Sequence, residues 1–305
     1  MKRKASLIVL VILIILVLPL IVKDRSNPLK NFEGPSLSSL NYTEVDFINN
    51  FDQTKLAGML FIPEQTKNYP LAIIINGSGY SKRKNTWYLS IVKHLQDNGI
   101  AVLFPDKRGS EKSEGNWIGA SPELLSTDTE SAIKFIKSQD SLNYTDIGLL
   151  GISQGGWIAP ISASKTEDLS FIVNISGTIT NGDEQLLHEE TNTIAKYTYK
   201  PIAKLIASLT TKNLKKKESI KVFTDFDPLP YWKKTETPTF FTYGENDPNV
   251  PVNNSLKLIK DNHFSHFKTE IYPKGQHAIL DISGTKINQT FLNDITNFIK
   301  ENSKT

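Results

Sequence analysis

Six short apolar runs rich in β-branched residues punctuate the chain at 71–76, 100–105, 147–151, 171–176, 239–243 and 269–272, and the stretches between them carry helical spacing. Runs of that length suit strands covered on both faces better than they suit buried helices. Between the first two, Tyr88, Ile91, Val92 and Leu95 repeat at i, i+3, i+4, i+7, with Gly99 placed as a stop. Ser121, followed by Pro122 and Glu123, opens a second helix that carries Leu125, Ala132, Ile133 and Ile136 inward. A last helix over 285–301 puts Ile287, Phe291, Ile295, Phe298 and Ile299 largely on one side. Runs at 44–48 and 56–61 predict an initial hairpin. Strands alternating with covering helices predict an α/β fold with a doubly wound, mostly parallel sheet. Residues 178–225 break the alternation: lysines mix there with Ile194, Tyr197, Ile202, Leu205, Ile206 and Leu209, which predicts a small helical cap insertion without a strand.

The amino-terminal end follows a different rule. From Leu7 to Val22 sixteen residues are apolar or proline without interruption, with Lys2, Arg3 and Lys4 before them and Lys23, Asp24 and Arg25 after them. Counted from Ala5, a helix of this length reaches roughly 27 Å at about 1.5 Å per residue, close to the hydrocarbon core of a bilayer. Residues 1–22 are therefore read as an uncleaved signal anchor. The competing reading, a cleaved secretory signal, would want a shorter apolar run and small residues ahead of the cleavage point. The charge distribution places the amino terminus in the cytoplasm and the body outside. Residues 23–41, rich in Ser, Asn and Pro, read as a tether, and 42–303 as the globular body.

Residues 1–30 carry a net +5 of the chain's +3, so the remainder is slightly acidic. That leaves no electrostatic footprint for nucleic acid, and Lys215, Lys216 and Lys217 are read as a solvated helix face. The chain has no Cys, which excludes a disulfide framework, Cys-ligated zinc, iron–sulfur clusters and a thiolate nucleophile.

The chemistry gathers at Gly151-Ile152-Ser153-Gln154-Gly155-Gly156, directly after an apolar run and before the helix-compatible stretch 157–164. A serine on a sharp strand-to-helix turn needs small residues two positions to either side, and the turn presents its hydroxyl at the carboxyl end of the sheet. The next amide, that of Gln154, points toward a developing oxyanion. A serine hydroxyl needs a base. Of the five histidines, His94 and His188 are read as ordinary surface residues, and His263 and His266 precede the strand at 269–272, at the wrong end of the sheet. His277 lies just past that strand's carboxyl end. Asp247, in the loop after 239–243, is the carboxylate that would orient the imidazole, with Glu245 its local rival. The order Ser153, Asp247, His277 is the one expected on this type of sheet. A second oxyanion donor is assigned to the amide of Ser78 in Asn76-Gly77-Ser78-Gly79, with Gly77 letting the loop turn.

These residues resemble the α/β-hydrolase superfamily, from about Tyr42 to the final helix, and within it bacterial serine esterases and serine-peptidase-like enzymes related to dienelactone hydrolases and serine aminopeptidases. Phe104-Pro105-Asp106-Lys107-Arg108-Gly109 with Ser113 and Gly115 is similar to the Asp-x-Arg-Gly segment of those enzymes, and Asp227-Pro228 and Thr237-Pro238 are also similar to bacterial members. Asn76 stands where many relatives have His, and Tyr80-Ser81-Lys82-Arg83 replaces the common Pro-x-Asp-Arg, departures that bear on substrate preference. The expectation is a serine carboxylesterase working through an acyl-enzyme on a small-molecule ester or acyl substrate, with no metal or organic cofactor called for. A peptidase or thioesterase using the same triad, and a non-catalytic membrane-tethered binding module, are the alternatives. A further idea is that the lysine-rich cap rests on anionic lipid. Oligomeric state is not legible.

Overall fold

The computed structural model describes residues 18–23 and 25–304. Eight strands form one sheet: β1 (Thr43–Ile48), β2 (Lys55–Phe61), β3 (Tyr69–Ile75), β4 (Ala101–Pro105), β5 (Tyr144–Ile152), β6 (Leu169–Ile175), β7 (Thr239–Gly244) and β8 (Phe267–Tyr272). Their spatial order is β1-β2-β4-β3-β5-β6-β7-β8. The hairpin strands β1 and β2 pair antiparallel, β2 joins β4 antiparallel, and every later pairing is parallel. The chain therefore reverses its direction of winding at β3, and the crevice between the carboxyl ends of β3 and β5 is where such sheets place a ligand.

Alternation along the strands feeds two cores. Leu71, Ile73 and Ile75 pack with α2 (Pro122–Lys137), α3 (Gly155–Ala163) and α8 (Val252–Asp261) on one face. Ala72 and Ile74 pack with α1 (Thr86–Asp97) and α9 (Gln289–Glu301) on the other. The sequence signals for these helices hold: the Ser121 hydroxyl accepts from the amide of Leu124 at the start of α2, and Leu125, Ala132, Ile133 and Ile136 are all buried. Between β6 and β7 the described chain is helical, with α4 (Gly182–Ala195), α5 (Lys200–Leu214), α6 (Glu218–Thr224) and the short α7 (Leu229–Trp232), and no strand interrupts them. Trp157, Ile161 and Phe226 form a third apolar cluster that ties this insertion to α3.

Two expectations need correction, and a third falls largely outside the described residues. The last helix begins at Gln289, not 285, because the Asn288 side chain accepts from the amides of Thr290 and Phe291, while Ile287 pairs with Leu280 in an antiparallel bridge. Lys215, Lys216 and Lys217 are not a helix face: α5 stops at Leu214 and they form the turn into α6, where cations favour the helix's carboxyl end. Of the apolar amino-terminal segment only 18–22 falls among the described residues, as helix, and the rest lies outside them. No described helix is long and apolar enough to cross a membrane.

Candidate active site

The turn between β5 and α3 is built by sterics. Ser153 has a φ of 51°, a left-handed conformation costly for a non-glycine residue. The turn closes only because its flanks lack side chains: a Cβ on Gly151 would lie 2.6 Å from the carbonyl oxygen of Gly155, and one on Gly155 would lie 2.2 Å from that of Ile75. The Ser153 amide donates to the Ile175 carbonyl at 2.8 Å, fastening the turn to β6.

Three loops at the carboxyl edge converge on this serine. His277, past the end of β8, has Nε2 3.1 Å from Ser153 Oγ and Nδ1 2.8 Å from Asp247 Oδ2. Asp247 is buried in the loop after β7. Its other oxygen accepts from the amides of Asn249 at 2.7 Å and Val250 at 3.1 Å, which leaves Oδ2 aimed at the imidazole. The two loops are laced together, Glu245 N donating to Tyr272 O at 2.8 Å and Gln276 N to Glu245 O at 3.0 Å. Glu245 itself turns outward and accepts from the Lys274 amide. The arrangement is competent to take a proton from the hydroxyl while the buried carboxylate stabilises the imidazolium.

In the cleft they share with Ser153, the amides of Ser78 and Gln154 donate to no acceptor among the described residues. Gly77 N donates to the buried Tyr88 hydroxyl at 3.0 Å, and Asn76 Nδ2 to Pro105 O at 2.8 Å, so the start of the loop after β3 is pinned by two bonds. Sequence reasoning missed what orients it. Lys107, buried after β4, sends Nζ to the Gly77 carbonyl at 2.8 Å and to Gln154 Oε1 at 2.7 Å. Gly77 C=O and Ser78 N–H are the two ends of one peptide unit, so a cation on the first aims and polarises the second. Burial lowers the Lys107 ammonium to a pKa of about 8. Its neighbours are fixed by ion pairs: Asp106 to Arg83 at 2.7 Å, and Arg108 to Asp128 at 2.7 Å and Asp52 at 2.9 Å. A lysine between two anchored residues at the end of a buried strand was the available signal.

Two histidines set aside as surface residues are not free of the interior. His188 of α4 places Nε2 3.2 Å from the Asp247 carbonyl and 2.8 Å from Asn192 Nδ2, bracing the acid loop from the insertion. His94 has a buried Nε2 without a partner among the described residues. His263 and His266 lie ahead of β8, away from the serine, as expected.

Ser153 opens into a cleft of about 310 Å³ that lies under the insertion, with Trp117, Ile118, Trp157, Leu186, Ile220 and Phe223 among its walls. Glu189 of α4 also lines it, its carboxyl raised above the ordinary range by burial, with the His277 charge opposing. No group of side chains able to hold a metal ion occurs among the described residues.

Comparison with known proteins agrees with this architecture. A thiohydrolase, AneE of Aspergillus aculeatus, is 30% identical over 135 residues, which is 44% of this chain and 41% of that protein, so the chain matches about two fifths of its relative's length. An esterase of Pyrococcus furiosus, Pf2001, superposes with a TM-score of 0.66 at 20% identity, covering 90% of this chain and 99% of the esterase. Est1E of Butyrivibrio proteoclasticus, solved with ferulic acid bound, gives 0.58 at 19% identity over 84% and 96% of the two chains. These structures establish the α/β-hydrolase fold. The family model described as BD-FAE matches residues 59–261, more than half of the chain, and the chain belongs to that family.

Proposed function

We propose that this BD-FAE family member is a serine hydrolase of small carboxylic esters. Ser153 Oγ attacks the ester carbonyl carbon as His277 Nε2 takes its proton, and Asp247 steadies the resulting imidazolium. The amides of Gln154 and Ser78 receive the oxyanion. Collapse of the tetrahedral intermediate breaks the bond to the alcohol, which leaves with the proton from His277. Water, deprotonated by the same imidazole, then releases the acid and restores Ser153.

The observation that carries the reading is the continuous line Asp247–His277–Ser153 at hydrogen-bond distances, in one cleft with two amides that donate to no acceptor among the described residues. The cleft walls favour an apolar or aromatic group beside the reacting carbonyl, because Trp117, Ile118, Trp157, Leu186, Ile220 and Phe223 line them. Residues 1–22 serve as a membrane anchor with the body on the extracytoplasmic side, as their charge pattern suggests. A fluorophosphonate probe should label the wild type and neither Ser153→Ala nor His277→Ala. A folded wild type that takes no label would overturn the assignment. Thioester hydrolysis is the second reading, favoured by the thiohydrolase relative, and paired ester and thioester substrates with the same acyl group decide between them.

A further inference from the structure

Helix α5 is built with its large side chains on the outside. The residues it turns toward α4 are Ala203, Ala207 and Thr211, small enough for the two helices to lie close. On the opposite side Ile202, Leu205, Ile206 and Leu209, at i, i+3, i+4 and i+7, face outward, with Leu205 67% and Leu209 58% exposed. A helix that merely covered a core would place these residues the other way round. Four aliphatic residues on one exposed stripe form a contiguous patch that calls for a partner.

The charge around the stripe says which partner. Residues 191–217 hold seven lysines and no carboxylate. Among the described residues only Lys215 of these seven pairs with an acid, Asp183. An outward apolar stripe flanked by lysine stems and ammonium groups matches the boundary between acyl chains and anionic headgroups. A second protein would have to supply matching carboxylates and an apolar groove together, whereas an anionic bilayer presents both at its surface.

A separate contact points the same way. Lys23 donates Nζ to the carbonyls of Ala195 at 2.6 Å and Thr198 at 2.7 Å, at the junction of α4 and α5, and Arg25 lies over the Tyr197 ring at 5.2 Å. The apolar amino-terminal segment thus leaves the body beside α5, and its described part exposes Leu20, Ile21 and Val22.

We propose that the outward face of α5 docks on the surface of an anionic phospholipid bilayer, next to the point where the amino-terminal segment leaves the body. The helix lies in the plane of the interface with Ile202, Leu205, Ile206 and Leu209 among the upper acyl chains and the lysines at the headgroups. Because α4 and α6, on either side of α5 in the chain, line the cleft, docking holds the entrance to Ser153 near the bilayer. The inference does not rest on the hydrolytic reading, and its test reads position instead of turnover.

The chain has no native Cys, so single cysteines report without background. Full-length Leu205→Cys and Leu209→Cys carry an environment-sensitive fluorophore, and Glu167→Cys, exposed at the opposite edge of the sheet, is the control. Each is reconstituted into phosphatidylcholine vesicles containing about one third phosphatidylglycerol, with circular dichroism confirming the fold. Nitroxide-labelled lipids should quench positions 205 and 209 at least about twofold and leave 167 unchanged, and quenching should fall when phosphatidylglycerol is omitted. Vesicle-bound protein with no quenching at 205 and 209 overturns the proposal. A blue shift at these positions without quenching also overturns it, since protein would then cover the face.

Discussion

Lys107 grips the Gly77 carbonyl at 2.8 Å, and through that one peptide plane it aims the amide of Ser78. Its second bond, to the Gln154 side chain, reaches the residue whose amide forms the other half of the proposed oxyanion site. One buried ammonium therefore spans both donors.

Lys107→Met keeps the volume and removes the cation. We expect kcat for a short p-nitrophenyl ester to fall by about 10- to 100-fold, less than loss of a whole oxyanion donor costs at its upper limit, with KM little changed. Steady-state kinetics beside a thermal melt check this, since a structural role alone would lower the melt and spare kcat.

The pH dependence carries a sign that few other groups would give. The folded-state pKa of Lys107 is about 8, below the roughly 10.4 of an unfolded lysine. Between those values the unfolded chain binds more protons, so this group's contribution to stability rises with pH, while the charged form that polarises Gly77 is lost. Relative to Lys107→Met, wild type should gain stability and lose kcat as pH increases through that window. Parallel changes in both quantities would refute the role assigned to the ammonium.

Asp247→Asn keeps an acceptor for the amides of Asn249 and Val250 but presents the wrong group to His277. Turnover should drop by about 10³- to 10⁴-fold with the fold retained, as read by ester hydrolysis and circular dichroism.

Gly155→Ala tests the elbow's sterics. A Cβ 2.2 Å from the Ile75 carbonyl forces backbone to move, which should cost about 3 kcal/mol or more, whereas the same change at Gly79, open around its Cβ but with φ at 82°, should cost only about 1 kcal/mol. Urea denaturation of the two variants measures the difference.

Phe223→Ala enlarges the cleft wall contributed by the insertion. It should lower kcat/KM for aromatic or long-chain esters by about 10- to 100-fold and leave acetate esters nearly unaffected, a split that a substrate series would reveal.

The sheet and the elbow were legible because each rests on local chemistry. A strand buried on both faces must be apolar throughout, which marked the inner strands, whereas β8, read with them, is an edge strand whose Lys268, Thr269, Glu270 and Ile271 are exposed. Ser153 can adopt its turn only between residues as small as Gly151 and Gly155. Asp247 and His277 could be placed because parallel strands put their following loops on one edge. Lys107 was not legible as a positioning residue, since its role depends on where the Gly77 carbonyl lies after β3 and β4 pair, a contact across thirty residues. His188 was misjudged for the same reason: nothing in α4 announces that it will meet the acid loop. The start of α9 is set by the cap at Asn288, which periodicity alone does not locate.

Ser153 and His277 stand 124 positions apart and hang from strands β5 and β8, with β6 and β7 paired between them. A chain still being synthesised thus acquires its serine long before the imidazole that would activate it. On the proposed mechanism, translation products that stop short of β8, or that fail to add it to the sheet edge, would carry an unactivated hydroxyl. Hydrolytic competence would arrive, on that mechanism, only once β8 has joined the sheet edge and brought His277 to Ser153.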